Sequence, residues 1–261
     1  MWREIEILRR EYIDLGLATS IDYEKFSMIS IVYHSTRIEG CSLTENDTKL
    51  LLDKDITSKG KPLADHLMVK DHFAALLYLK KIAQGKQKIS TDLIKQVAAL
   101  VMKNTGGIVN AIAGSFDTSA GDLRKAQVYV DNKYFPDFSK VEELLSQLVN
   151  VVNQRIDTVS GNEILKLSAD IHYNIVNIHP FGDGNGRTAR LMMNYIQMYY
   201  QEPLIKIFTE DRAAYIDALN SAEESEDISV FRDFICQQQI KFYKAEIQKF
   251  KGKDKGFHLL F

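Results

Sequence analysis

Residues 162–200 read NEILKLSADIHYNIVNIHPFGDGNGRTARLMMNYIQMYY, and this stretch decides the fold. Ile164, Leu165, Leu167, Ile171, Ile175 and Val176 recur at helical spacing after Asn162, and the helix they predict stops at His179 and Pro180, because proline supplies no amide donor. A second helix is expected from about Gly186 to Tyr200. Between them Gly182, Gly184 and Gly186 stand at alternate positions, so the backbone can take unusual dihedrals beside a helix N-terminus whose N–H groups have no partner. Such a loop is an anion nest suited to phosphate. Arg187 and Arg190, three residues apart, share a helical face and can both reach a polyphosphate. Asp183 is a hard oxygen ligand of the kind Mg²⁺ uses beside phosphate. His179, with an ordinary pKa of roughly 6.5, is placed to act as a general base, and Phe181 is expected to point inward as an anchor.

Outward from this segment the chain reads as mainly α. With only four prolines, Pro62, Pro136, Pro180 and Pro203, in 261 residues, long helices are uninterrupted. Helices are expected over Glu4 to Ala18 and Ile21 to Ile38, then a short one capped by Thr44 with Asp47, and a long one from Ala64 to Ala83 ended by Gly85. Ser139 with Glu142 suggests another cap ahead of Val141, Leu144, Leu145, Leu148 and Val152, and two further helices are expected over Arg212 to Ala222 and Ser229 to Phe250. One segment differs: LRKAQVYV, Leu123 to Val130, alternates and follows Gly114, Ser115, Gly121 and Asp122, which predicts a small β-hairpin. The division expected is an N-terminal helical region over 1–60, a catalytic body over 61–250 and a tail over 251–261.

Composition bounds the functions open to this chain. Hydrophobic residues at 45% and charged residues at 26% are ordinary for a folded protein. A formal charge of -2 provides no global positive field for nucleic acid or an anionic membrane, so neither is an expected partner. Cys41 and Cys236 lie in no metal-ligand or redox spacing, and MWREIEILRR lacks the apolar run of a leader; a soluble, cytoplasmic protein is expected.

The string His179-Pro180-Phe181-Gly182-Asp183-Gly184-Asn185-Gly186-Arg187-Thr188-Ala189-Arg190 resembles the signature of Fic (filamentation induced by cAMP) domain proteins, His-Pro-Phe-x-Asp/Glu-Gly-Asn-Gly-Arg-x-x-Arg, at every fixed position. The resemblance extends over about residues 64–245 and includes GDLRKAQVYV, which is similar to the family's substrate-positioning flap: Leu123, Arg124, Lys125, Ala126, Gln127 and Val128. It implies a Fic-type helical bundle and adenylyl transfer, in which AMP moves from ATP to a Ser, Thr or Tyr hydroxyl of a protein and pyrophosphate leaves. On that resemblance His179 deprotonates the hydroxyl and Asp183 holds Mg²⁺ at the α- and β-phosphates. Gly182, Gly184, Asn185 and Gly186 frame those phosphates, while Arg187 contacts the β-phosphate and Arg190 the γ-phosphate. Tyr215 matches a tyrosine that reads the base in relatives, whereas Ile216 and Glu223 depart from the family's second aromatic and later Asn.

Ser35-Thr36-Arg37-Ile38-Glu39-Gly40 ends the second predicted helix. A carboxylate at a helix C-terminus opposes the dipole and asks for a positive partner. The string resembles the Fic inhibitory motif, Ser/Thr-x-x-x-Glu-Gly/Asn, in its N-terminal (class II) arrangement. That resemblance implies that Glu39 pairs with Arg190 and takes the arginine the γ-phosphate needs, with Ser35 bonding across to the signature segment. Two other functions fit the same residues: removal of AMP from a modified target with Glu39 positioning water, and a nucleotide-binding regulatory module with little turnover. ATP and a target protein, which includes the chain itself, are the expected partners, and a homodimer would fit an exposed apolar helix.

Overall fold

Ten α-helices and two short hairpins make up the described residues, 1–16, 23–130 and 133–253, of this computed structural model. The helices are α1 (Trp2–Asp14), α2 (Tyr23–Ile38), α3 (Glu45–Lys54), α4 (Leu63–Gln84), α5 (Thr91–Met102), α6 (Val141–Arg155), α7 (Asn162–Ile178), α8 (Asn185–Tyr199), α9 (Arg212–Glu224) and α10 (Ser229–Lys253). The pairs β1 (Ile108–Val109) with β2 (Phe116–Asp117), and β3 (Tyr129–Val130) with β4 (Lys133–Tyr134), are antiparallel. The mainly α architecture is the one expected from the sequence.

Helices α7 and α8 form the centre. α8 is buried on every side from Arg187 to Gln197, polar positions included, which is tolerable at Asn194 and Gln197 because both amides find partners. Asn194 exchanges two bonds with the Ile205 backbone, at 2.8 and 3.0 Å, and Gln197 donates to Ser168 Oγ at 2.8 Å. On one side of this pair lies a core of α4, α5, α6 and the α2 residues Met28 and Val32. On the other lies a core in which Ile5 and Tyr12 of α1 pack with Tyr215 and Leu219 of α9 and with Phe231 to Ile247 of α10. Residues 1–60 thus contribute to both cores. Asp170 of α7 ties the layers, accepting from Arg155 at 2.7 Å and from Arg232 at 2.6 and 2.8 Å.

Local signals explain most boundaries. Thr44 caps α3 in a full capping box with Asp47, and α4 ends at Gly85. Three expectations need correction. The helix at Val141 is led in by a 3₁₀ turn, and there Asp137, not Ser139, is the acceptor, taking the Ser139 N–H at 2.9 Å and hydroxyl at 2.6 Å. Helix α5, with Ser90 capping Leu93 N–H at 3.0 Å, occupies a stretch for which no element is expected above. The flap is paired only at Tyr129↔Tyr134 and Val130↔Lys133. Val128 O still accepts the Phe135 N–H at 3.5 Å, but Leu123 to Gln127 adds no ladder pair, because Arg124 turns inward and its N–H bonds the Pro180 carbonyl at 3.0 Å instead of a neighbouring strand. The expected tail beyond Lys253, and the ends of the first two expected helices over 17–22, lie outside the described residues.

Candidate active site

The segment between α7 and α8 is built by its own side chains. Phe181 is 1% exposed, the inward anchor expected from the sequence. Asn185 closes the loop around it, accepting the Phe181 N–H and donating to the Phe181 carbonyl, both at 2.9 Å. Its amide is therefore a staple that shapes the nest. Gly184 has φ 77° and ψ 5°, and a Cβ there would meet Met102 Sδ at 2.9 Å; only glycine fits. A Cβ on Gly182 would meet the Phe116 ring of β2 at 2.7 Å.

His179 is the residue just past α7 and holds a left-handed backbone, φ 50° and ψ 58°. That conformation is uncommon for a side-chain-bearing residue and is maintained by its surroundings. Its N–H bonds Ile175 O at 2.9 Å and its carbonyl accepts from Arg124 Nε at 2.8 Å. The imidazole stacks on Phe135 of the flap, centroids 4.0 Å apart. Burial holds its pKa down to about 4, with the Arg124 and Lys133 charges acting in the same direction and Asp183 against them. The ring is neutral at pH 7, the state a proton acceptor requires.

Both signature arginines are buried, at 3% and 4% exposed. Arg187 reaches Val101 O at 3.4 Å and Met102 Sδ at 3.1 Å on α5, with Asp183 3.8 Å away. Arg190 donates from Nε to Ser35 Oγ at 2.8 Å and from Nη2 to Ser35 O at 3.0 Å and Glu39 Oε1 at 2.5 Å. Among the described residues Arg187 Nε and Arg190 Nη1 are buried without a hydrogen-bond partner. Buried guanidinium N–H groups left open are donors for an anion. Burial lowers the Arg187 pKa. Burial, the largest influence, would do the same to Arg190, but the charge and hydrogen bond of Glu39 together with the Tyr215 hydroxyl outweigh it and the pKa is raised. Glu39 mirrors this: burial pushes its carboxyl up and Arg190 pulls it below the usual carboxylate range.

The carboxylate of Glu39 also lies against the glycine loop. A Cβ on Gly186 would stand 2.5 Å from Glu39 Oε1 and 3.1 Å from Arg190 Nη1. A carboxylate thus stands beside Gly186 and pairs with Arg190, and it is carried by the residue just past α2, 151 residues earlier in the chain. Ser35 meets Arg190 itself, so the expected link across to the signature segment is through that side chain.

Asp183 keeps 69% of its side chain exposed beside the helix N-terminus. Among the described residues no cluster of three or more His, Cys, Asp or Glu side chains is gathered for a metal. A lone, open carboxylate beside a phosphate nest fits Mg²⁺, which fills most of its octahedron with water and phosphate oxygens.

Tyr215 requires correction. It is 3% exposed, its hydroxyl meets His172 Nε2 at 3.1 Å, and its ring packs with Phe231 and Phe234. It is a core residue standing behind Arg190, not a wall of an open base pocket. His72 and His172 share that position; burial drives both pKa values well below the ordinary imidazole value, and the nearby Arg190 adds to the shift. Glu223, which departs from the family pattern, pairs at 2.6 Å with Lys133 of β4, and Lys133 also reaches Asn177 Oδ1 at 2.5 Å. The contacts missed in the sequence, Phe135 on His179 and Arg124 on its carbonyl, have no local signature because they join segments 44 and 55 residues apart.

Comparison with known proteins agrees with this arrangement. Residues 88–197 match the Fic/DOC family, and the chain belongs to that family. It is 30% identical over 256 residues to a protein adenylyltransferase fic-1 of Caenorhabditis briggsae, covering 97% of this chain and 47% of that protein. The chain therefore spans about half the length of this relative. Fic-1 of Caenorhabditis elegans superposes with a TM-score of 0.78 at 27% identity, covering 97% of this chain and 72% of that one. A Fic domain containing signaling protein from Bacteroides thetaiotaomicron gives 0.80 at 24% identity, covering 98% and 100%, and bears on the fold alone.

Proposed function

We propose that this chain is an autoinhibited protein adenylyltransferase, moving AMP from ATP to a Ser, Thr or Tyr hydroxyl of a target protein or of itself. The observation that carries the reading is the Glu39 carboxylate resting on Gly186 and on Arg190 Nη2 at 2.5 Å. It puts a negative charge beside the glycine loop and on the arginine proposed to take the γ-phosphate. Relatives that are named protein adenylyltransferases support the reaction class.

In the reaction proposed, the neutral imidazole of His179 accepts the proton of the target hydroxyl. That oxygen forms a bond to the α-phosphorus, the bond from that phosphorus to the β-phosphate bridging oxygen breaks, and pyrophosphate leaves. Little covalent work falls to the protein, so placement decides the outcome. The N-terminus of α8 and the Gly182–Gly186 loop hold the α- and β-phosphates, Arg187 takes the β-phosphate and Arg190 the γ-phosphate. Mg²⁺ held by Asp183 would supply charge neutralisation between phosphate oxygens. With Glu39 on Arg190 the γ-phosphate lacks its donor, and the triphosphate cannot settle with its α-phosphorus toward His179.

Intact-mass measurement after incubation with ATP and Mg²⁺ tests the reading. The Glu39→Gly variant is expected to gain one AMP unit, and Glu39→Gly with His179→Ala none. Gain of a phosphate instead, or no modification of any protein by either, overturns it.

A further inference from the structure

Among the described residues Arg124 is the largest side chain that is fully buried, at 1% exposed. No carboxylate lies within ion-pair distance of it among the described residues. Its guanidinium is instead surrounded by backbone carbonyls. Nε donates to His179 O at 2.8 Å, Nη1 to Ala126 O at 2.8 Å and Nη2 to Pro136 O at 2.5 Å, while its own N–H bonds Pro180 O at 3.0 Å. Burying a cation against neutral acceptors is expensive unless the geometry is held closely. Two of these carbonyls are the feet of the flap, on either side of β3 and β4. The other two belong to the base and the residue after it.

We propose that Arg124 is a positioning residue for His179, joining the backbone of the base and both feet of the flap into one unit. This rests on His179 being the general base, as proposed above. The flap closes the unit from the other side: Phe135 stacks on the imidazole at 4.0 Å, and Lys133, 5.3 Å from the Phe135 ring centroid, is tied to Asn177 and Glu223. A flap displaced by a docking target therefore moves the face against which His179 is packed, and Arg124 keeps the left-handed backbone of His179 in register with that movement. The guanidinium does not reach the reacting atoms. It acts through the carbonyl it holds and through its charge, which together with Lys133 opposes protonation of the ring while Asp183 favours it.

The test uses the full chain in the Glu39→Gly background and two independent readouts. The first is the kinetic split for AMP transfer. Arg124→Met and Arg124→Lys are expected to lower kcat by on the order of 10- to 100-fold, the range for a misplaced catalytic group, with the ATP Kd changed by less than about 2-fold because Arg187, Arg190 and the glycine loop are untouched. The second is the His179 imidazole titration by NMR, assigned by its loss in His179→Asn, which is readable in a protein that transfers nothing. It is expected near 4 with Arg124 in place, to rise in Arg124→Met while staying below the ordinary value of roughly 6.5, since burial is the larger cause and persists, and to stay low in Arg124→Lys, which keeps the charge but not the fork. If Arg124→Met does not fold, Phe135→Leu decides: uncovering the ring raises its titration and lowers kcat. An unchanged His179 titration with kcat and ATP binding falling together assigns Arg124 to general folding and overturns the proposal. Absence of AMP transfer by Glu39→Gly itself overturns the functional reading and leaves the titration to judge Arg124.

Discussion

Replacing Glu39 by glycine removes the anion from Arg190 while leaving the arginine, Ser35 and the loop in place. The size of the effect follows from the exposure of the two partners. Arg190 has 5% of its side chain exposed and Glu39 has 35%. A charge-assisted hydrogen bond between buried groups contributes about 1.5–3 kcal/mol, whereas an exposed pair contributes ~0–1 kcal/mol. With one partner buried and the other a third open to solvent, about 1–2 kcal/mol is reasonable, and that is roughly a 5- to 30-fold change in the fraction of sites able to seat the γ-phosphate. Initial rates of label transfer from α-labelled ATP, at saturating ATP and Mg²⁺, should rise by that factor in Glu39→Gly. Glu39→Gln, which keeps an acceptor oxygen without the charge, should lie between the two. Arg190→Ala added to Glu39→Gly should abolish the gain, since the released donor no longer exists. Equal incorporation by wild type and Glu39→Gly would refute the reasoning, because the 2.5 Å contact would then hold nothing back.

Further outcomes follow from the same contacts. Asn185→Ala removes both bonds to the buried Phe181 backbone and should lower unfolding stability by about 2–4 kcal/mol, read as a fall in urea midpoint; a loss of ATP binding with the midpoint unmoved would show that the side chain is a phosphate ligand instead of a staple. Tyr215→Phe should cost about 1 kcal/mol through the lost His172 bond and leave the preference among ATP, CTP and GTP unchanged; a switch in preference would return Tyr215 to the base site. His34, His72, His172 and His179 all have folded pKa values below the ordinary 6.5. The sign follows: the unfolded chain binds these protons first, so the stability they contribute is complete above pH ~6.5 and declines as pH falls toward the folded values, by up to about 1.4 kcal/mol per pH unit for each. The urea midpoint should therefore drop between pH 7 and pH 5, and a flat profile would contradict the buried neutral state.

The central hairpin of helices was legible in the sequence because its signals are local. Pro180 ends α7, the glycines permit the turn, and Arg187 and Arg190 follow from helical spacing alone. Helix α2 was legible from its pattern, but the partnership of Glu39 was legible only through resemblance, since nothing within Ser35–Gly40 specifies which cation comes to meet it. Helix α5 shows the opposite case. Ser90 caps it and Leu93, Ile94, Val97 and Val101 form a regular apolar face, so the signal was present; its role was not, because Val101 and Met102 matter through their contact with Arg187. Alternation over Leu123 to Val130 predicts a strand where tertiary contacts dominate. Arg124 takes its partners from His179 and Pro136, and no periodicity in LRKAQVYV encodes those distant carbonyls. Tyr215 was placed at the base site by resemblance, but its neighbours Phe231 and Phe234, on the following helix, put it in the core.

The chain carries a net charge of -2, yet its site concentrates two desolvated guanidiniums within one helical turn. In the absence of nucleotide such a pair is costly, because buried cations without counter-charge lose hydration that carbonyls and a thioether only partly replace. Glu39 supplies the missing charge. On the proposed reading the inhibitory contact is therefore also a structural one: the carboxylate that would block the γ-phosphate stabilises the site proposed to bind it, and the two anions would compete for one arginine. Removing the glutamate exposes the cost. Glu39→Gly should be both more active and less stable than wild type, with ATP restoring stability as it takes the vacated position, since a ligand that binds only the folded state stabilises it by mass action. Activity and stability are opposed here by a single ion pair, which makes any partner or modification that draws Glu39 away a means of activation only while nucleotide is present to replace it.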